Sequence, residues 1–152
     1  MFSYRVAGIL LRDGNILLQK SADDTGFAVP GGHVELSETN AQTLIREFRE
    51  EIGADVTVGD LKWVGEIFFT WGNRPCHQIC LYYEVVLQDE SQIPHESFWA
   101  PDEHVDEREI KIKFHWMPID DLDKIEVHPG NIADLIKRYK DGVQHFIYRE
   151  YA

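Results

Sequence analysis

Residues 32–54 read Gly32-His33-Val34-Glu35-Leu36-Ser37-Glu38, then seven residues, then Arg46-Glu47-Phe48-Arg49-Glu50-Glu51-Ile52-Gly53-Ala54. This is a glycine loop feeding an amphipathic helix that clusters carboxylates. Thr39 is placed as the N-cap, and Gln42 three residues on completes a capping box. Ala41, Leu44, Ile45, Phe48 and Ile52 recur at helical spacing and form one apolar face. Gly53 is placed to end the helix. At helical periodicity Glu47, Glu50 and Glu51 fall within an arc of about 100° beside that face.

Three acids at i, i+3 and i+4 conflict with helix stability. Like charges at this spacing cost about 0.2–0.5 kcal/mol per pair. They also lie in the last two turns, where the helix dipole favours a cation. A bound divalent ion removes the conflict, and oxygen ligands suit Mg²⁺ or Mn²⁺. The bland alternative is a solvated acidic face, with Arg46 paired to Glu50 and Arg49 adding compensation. For a lone Glu-x-x-Glu-Glu that alternative is favoured. The Gly31-Gly32 loop and the fixed upstream spacing reverse the balance.

The pattern G-x5-E-x7-R-E-U-x-E-E-x-G-U, with U apolar, resembles the signature of the Nudix (MutT-like) hydrolases. Every fixed position is met, from Gly32 through Glu38, Arg46, Glu47, Glu50, Glu51 and Gly53 to Ala54. Average residue usage puts a chance match on the order of 10⁻⁹ per starting position, so coincidence is excluded. The flanks fit as well. Phe27-Ala28-Val29-Pro30-Gly31-Gly32 resembles the family's aromatic-x-apolar-Pro-Gly-Gly lead-in, and Trp116-Met117-Pro118-Ile119-Asp120-Asp121-Leu122 its late Trp-x-Pro-x-Asp-x-Leu segment. Ser37 departs from the pattern, since glycine is common before the first box glutamate.

Composition sets the outer bounds. The length of 152 residues fits one domain, 1–152. Hydrophobic residues at 43% suffice for a core, and no apolar run reaches membrane-spanning length. With no signal-peptide pattern at the N-terminus, a cytoplasmic protein is the expectation. A net charge of −12 argues against nucleic-acid polymers as partners but not against small nucleotides. Cys76 and Cys80 are the only cysteines. In one strand their Cα atoms stand about 13 Å apart, beyond the roughly 7 Å a disulfide tolerates. They read as packed thiols, and with His77 they make only a weak zinc pattern. No feature sets the oligomeric state; a homodimer is compatible with the sequence.

Along the chain, Tyr4 to Leu11 and Ile16 to Gln19 read as strands around an Asp13-Gly14 turn. Phe27 to Val29 is a short strand broken by Pro30. Val56 to Val58, Trp63 to Trp71 and Cys76 to Leu87 are further strand material, with Gly72 to Pro75 as a turn. The segment from Asp89 to Arg108 is a long acidic loop. Glu109 to Trp116 alternates as a strand, Asn131 caps a helix over Ile132 to Lys140, and Gln144 to Tyr151 reads as a last strand or a packed tail.

The resemblance implies an α/β fold, the Nudix α/β/α sandwich with a mixed sheet between helices. It implies hydrolysis of a phosphoanhydride bond in a nucleoside diphosphate derivative, such as a nucleoside triphosphate or nucleotide sugar, with Mg²⁺ or Mn²⁺ as cofactor. Glu47, Glu50, Glu51 and the Gly31 carbonyl are the implied metal ligands. A late glutamate joins them, Glu107 being chosen over Glu103 and Glu109. Glu47 or the late glutamate takes the proton of water, and Arg46 and Glu38 orient the acids. Phe69 and Trp71 are candidates to stack on a base and Arg74 to touch phosphate, against the reading of Phe69 and Trp71 as ordinary sheet packing. Lys20 is a further candidate for phosphate, against a solvated lysine. Two other function classes remain: a non-catalytic Nudix-like nucleotide sensor, and an acidic interaction domain.

Overall fold

The computed structural model describes residues 1–101 and 110–151. The strands are β1 (Phe2–Arg12), β2 (Asn15–Ser21), β3 (Gly31–His33), β4 (Val56–Trp71), β5 (Arg74–Leu87), β6 (Phe98–Trp99), β7 (Ile112–Pro118) and β8 (Gln144–Arg149). They form one mixed sheet in the order β6-β7-β2-β1-β5-β4-β8, with β3 added to β1. The pairs β1·β5 and β4·β8 are parallel and the others antiparallel.

Helix α1 (Asn40–Glu47) covers one face and α2 (Asn131–Lys137) the other. Strand alternation explains the two cores. Val6, Leu10 and Leu17 turn toward Leu44 and Phe48, while Ala7, Ile9 and Leu18 turn toward Ile132 and Ile136. This is the expected α/β/α sandwich.

The helix start follows the sequence reading. Thr39 Oγ1 accepts from Gln42 N at 3.1 Å, and Gln42 Oε1 accepts from Thr39 N at 2.9 Å. The end does not. After Glu47 the chain widens into a π-helical turn, Phe48–Ile52, closed by Gly53 N donating to Phe48 O at 2.9 Å. Gly53 then takes the left-handed conformation, φ 81°. Tertiary packing accompanies the widening. The Phe48 ring lies against β1, where a Cβ added to Gly8 would stand 2.7 Å from the ring.

Other boundaries move. Phe27 to Val29 makes only isolated bridges (Phe27 to Val127, Ala28 to Gln19), and the short strand is Gly31–His33. Pairing with β1 overrides the glycines' low strand preference. Helix α2 stops at Lys137, and Gly130, not Asn131, precedes it. Tyr139 lies beyond the helix, its hydroxyl donating to Glu84 at 2.6 Å. Arg49 pairs with Asp55 at 2.9 Å rather than with the acids beside it. The acidic stretch after β5 contains a 3₁₀ turn, Glu90–Gln92, and β6. Cys76 and Cys80 are buried free thiols, as expected.

Ser37 adopts φ 73°, the left-handed region in which a side chain costs about 1–2 kcal/mol. This accounts for the glycine usual at that place. Replacing Ser37 by glycine relieves that strain but adds backbone freedom to the unfolded chain. Ser37→Gly is expected to raise stability by about 0.5–1 kcal/mol, read as a higher urea midpoint.

Candidate active site

Arg46 ties the loop to the helix. Its Nε donates to Glu38 Oε2 at 2.8 Å and Nη2 to Glu38 Oε1 at 2.9 Å, a bidentate pair. Nη1 donates to Glu47 Oε1 at 2.9 Å and reaches Glu50 Oε2 at 3.5 Å. Thus the sequence's Arg46–Glu50 pair exists, but Glu38 and Glu47 are nearer. Glu38 also accepts from Thr43 Oγ1 at 2.8 Å and from Glu35 N at 3.2 Å. The Arg46 hydrogen bond, followed by those from Thr43 and the Glu35 backbone, holds the Glu38 carboxyl down at about 2.

The glycine pair brings the loop against this helix. A Cβ on Gly31 would collide with Val6 O of β1, and one on Gly32 with the Glu47 carboxylate. At Gly31 the obstacle is backbone, so only glycine permits that approach; at Gly32 a larger residue would displace the Glu47 carboxylate. Glu47 is packed, with 14% of its side chain exposed, while Glu50 sits on the rim at 48%.

Glu51 is the most perturbed acid. Burial, then the adjacent Glu47 carboxylate, push its carboxyl up to about 8. Arg5 opposes that shift. The half-buried Arg5 guanidinium donates to Val29 O at 2.7 Å and to Cys80 Sγ at 3.6 Å. Burial works against its charge, but Cys80, Tyr82 and Glu51 hold it above its usual range.

A cleft of about 740 Å³ opens where β2 and the start of β1 diverge. Gly31, Gly32, Glu47, Glu51, Phe69, Trp71 and Lys20 all line it. Glu38, Arg46, Glu50 and Arg74 do not, and Arg74 instead faces Trp71 across the β4–β5 turn. Glu103, Glu107 and Glu109 lie outside the described residues.

Among the described residues, no three His, Cys, Asp or Glu side chains converge as a closed metal cage. The donors at hand are nevertheless hard oxygens, and Glu47 and Glu51 crowd one another. That set fits a hard cation that keeps water and ligand oxygens in its remaining positions. The sequence reading missed Arg5, Tyr82, His128 and Tyr148 on the cleft wall. Arg5 carried a signal, a cation inside an apolar strand. Tyr82 and Tyr148 become neighbours through sheet pairing, and His128 through the bridge between Phe27 and Val127.

The NUDIX domain family model matches residues 2–139. The chain is 46% identical over 59 residues to the CTP pyrophosphohydrolase of Escherichia coli (strain K12), covering 36% of this chain and 44% of that protein. It is 40% identical over 65 residues to a MutT-like protein of Streptomyces ambofaciens, covering 42% of each. The chain therefore spans less than half the length of these curated relatives. Among solved structures, a UDP-X diphosphatase matches with TM-score 0.62 at 16% identity, over 96% of this chain and 67% of that one. A MutT NUDIX hydrolase from Burkholderia pseudomallei matches with TM-score 0.60 at 20% identity, over 92% and 99%. At these identities the structures establish the fold.

The lowered Glu38 carboxyl has a sign. Its folded value lies below the ordinary 4.5, so its contribution to stability is present above about pH 4.5 and lost as pH falls toward 2. Urea midpoints of the unmodified protein are expected to drop more steeply over that window than those of Glu38→Gln. Parallel curves would count against the pair.

Proposed function

The chain belongs to the NUDIX domain family, and from that membership we propose that it is a divalent-metal-dependent hydrolase of a phosphoanhydride bond. Its substrate is a nucleoside diphosphate linked to a further group, as in a nucleoside triphosphate or a nucleotide sugar. One observation carries the reading: Glu47, Glu51 and the Gly31–Gly32 pair share a single cleft with the aromatic side chains of Phe69 and Trp71.

Glu47, Glu50, Glu51 and the Gly31 carbonyl are the groups that would hold Mg²⁺ or Mn²⁺, with Glu107 as a further ligand. When bound, the ion neutralises phosphate charge and makes a water more acidic. This chain supplies the rest. Water adds to one phosphorus, the bridging P–O bond breaks, and the leaving phosphate takes the electron pair. Glu47 accepts the proton of the water, its carboxylate oriented by Arg46 at 2.9 Å. Glu38 holds Arg46 in turn and keeps the loop seated. Phe69 and Trp71 flank the base; Arg74, outside the cleft lining, is left to contact only the outer end of a long substrate.

The test is a panel of nucleotides assayed with Mg²⁺ and scored for which bond breaks. The CTP and UDP derivatives named in two relatives belong at its head. Glu50→Gln is expected to lower turnover by at least about 100-fold, with stability changed by less than about 0.5 kcal/mol because its ion pair is long and exposed. A panel with no turnover would remove the hydrolase reading and leave the nucleotide sensor; full activity in that variant would remove Glu50 from the metal-holding set.

A further inference from the structure

Beside the main cleft lies a smaller cavity of about 340 Å³, lined by Lys20, Ser21, Ala22, Phe27, Trp99, Lys113 and His115. Strand pairing builds it. Lys20 of β2 stands directly opposite Lys113 of β7, and Lys113 directly opposite Trp99 of β6. The three side chains therefore form one row across three strands.

The row is electrostatically unusual. Like charges directly opposite on adjacent strands are destabilising. The chain carries a net charge of −12 with 27 acidic residues. Yet no ion pair joins Lys20 or Lys113 to a carboxylate among the described residues. Lys113 Nζ instead lies 5.1 Å from the centroid of the Trp99 ring, which is 52% exposed. Burial, then Lys113 and Lys20, hold His115 below its usual value. Its Nδ1 meets Ser97 Oγ at 3.0 Å. Among the described residues, then, the pocket gathers two cations with no carboxylate partner, on a half-apolar floor.

Lys20, Ser21 and Phe27 line both this pocket and the main cleft, so the two adjoin. We propose that the Lys20–Lys113 pair is a second anion subsite, which holds a phosphate group of the substrate lying beyond the Glu47–Glu51 end of the cleft. The subsite selects substrates whose far side is charged: a polyphosphate tail, or a linked group that itself bears phosphate. This rests on the hydrolase reading for its biological use, but the binding itself does not need turnover.

The experiment titrates inorganic tripolyphosphate into the full chain by calorimetry, without divalent metal and at low salt. Lys20→Ala and Lys113→Ala are each expected to weaken binding by about 10-fold or more, and Lys113→Arg to retain it. Glu51→Gln leaves the lysines intact and retains lysine-dependent binding. Absent binding, or binding unchanged in both alanine variants, overturns the proposal. Thermal melts confirm that each variant is folded. Where the panel yields turnover, a kinetic arm separates the sources of phosphate. Lys113→Ala raises KM for a nucleoside triphosphate but not for a nucleotide sugar with an uncharged sugar; equal changes for both overturn it. Lysine-dependent binding without turnover of any nucleotide would sink the hydrolase reading alone.

Discussion

Arg46 stands between the loop and the helix, and the rest of the site is arranged around it. Its bidentate hold on Glu38 fixes residues 35–38 against α1, and its third donor fixes Glu47. Without that cation, four acids would face one another across a glycine loop. Packing reinforces the arrangement: Gly31 lies flat on β1 and Gly32 admits the Glu47 carboxylate. One guanidinium cannot satisfy everything, however. Glu51, turned inward beside Glu47, is left with a carboxyl that burial and its neighbour push up to about 8. That residual conflict has a physical remedy in a doubly charged ion, which a solvated acidic face would not require.

The sheet contributes a second conflict of opposite sign. Because β1 meets β2 only at Leu11–Ile16 and Arg12–Asn15, the two halves of the sheet diverge below the hairpin. The main cleft occupies that divergence, with the acids on one side. On the β2 side, pairing with β7 sets Lys20 against Lys113. Anionic oxygens bridged by metal at one place and by lysine at the other would relieve both concentrations of charge with one elongated ligand. The net charge of −12 makes such local cationic ground informative, since a random surface position of this chain would find a carboxylate nearby.

Several elements of this architecture were legible in residue order because they depend on near neighbours. The capping box at Thr39 and Gln42 spans three residues, and both of its hydrogen bonds are present. The Asp13-Gly14 turn takes positive φ at both residues, as its hairpin requires. The isolated thiols followed from strand spacing. Where the reading failed, a distant partner intervened. The last turn of the acidic helix widened with Phe48 packed on Gly8, forty residues earlier. Gly31–His33 became a strand because β1 offers an edge there. Arg49 found Asp55 across the helix end.

By itself, then, the order of residues determined the glycine loop, the amphipathic helix, the identity and spacing of its acids, and the family those residues mark. These depend on covalent connection and on helical period, both written directly in the chain. The tertiary structure decided which acids enter the cleft, that Arg74 stands outside it, and that Lys20, Lys113 and Trp99 share a row. Such facts follow from sheet register and from packing of the two half-sheets. Shifting a strand by one residue would turn every one of those side chains to the opposite face.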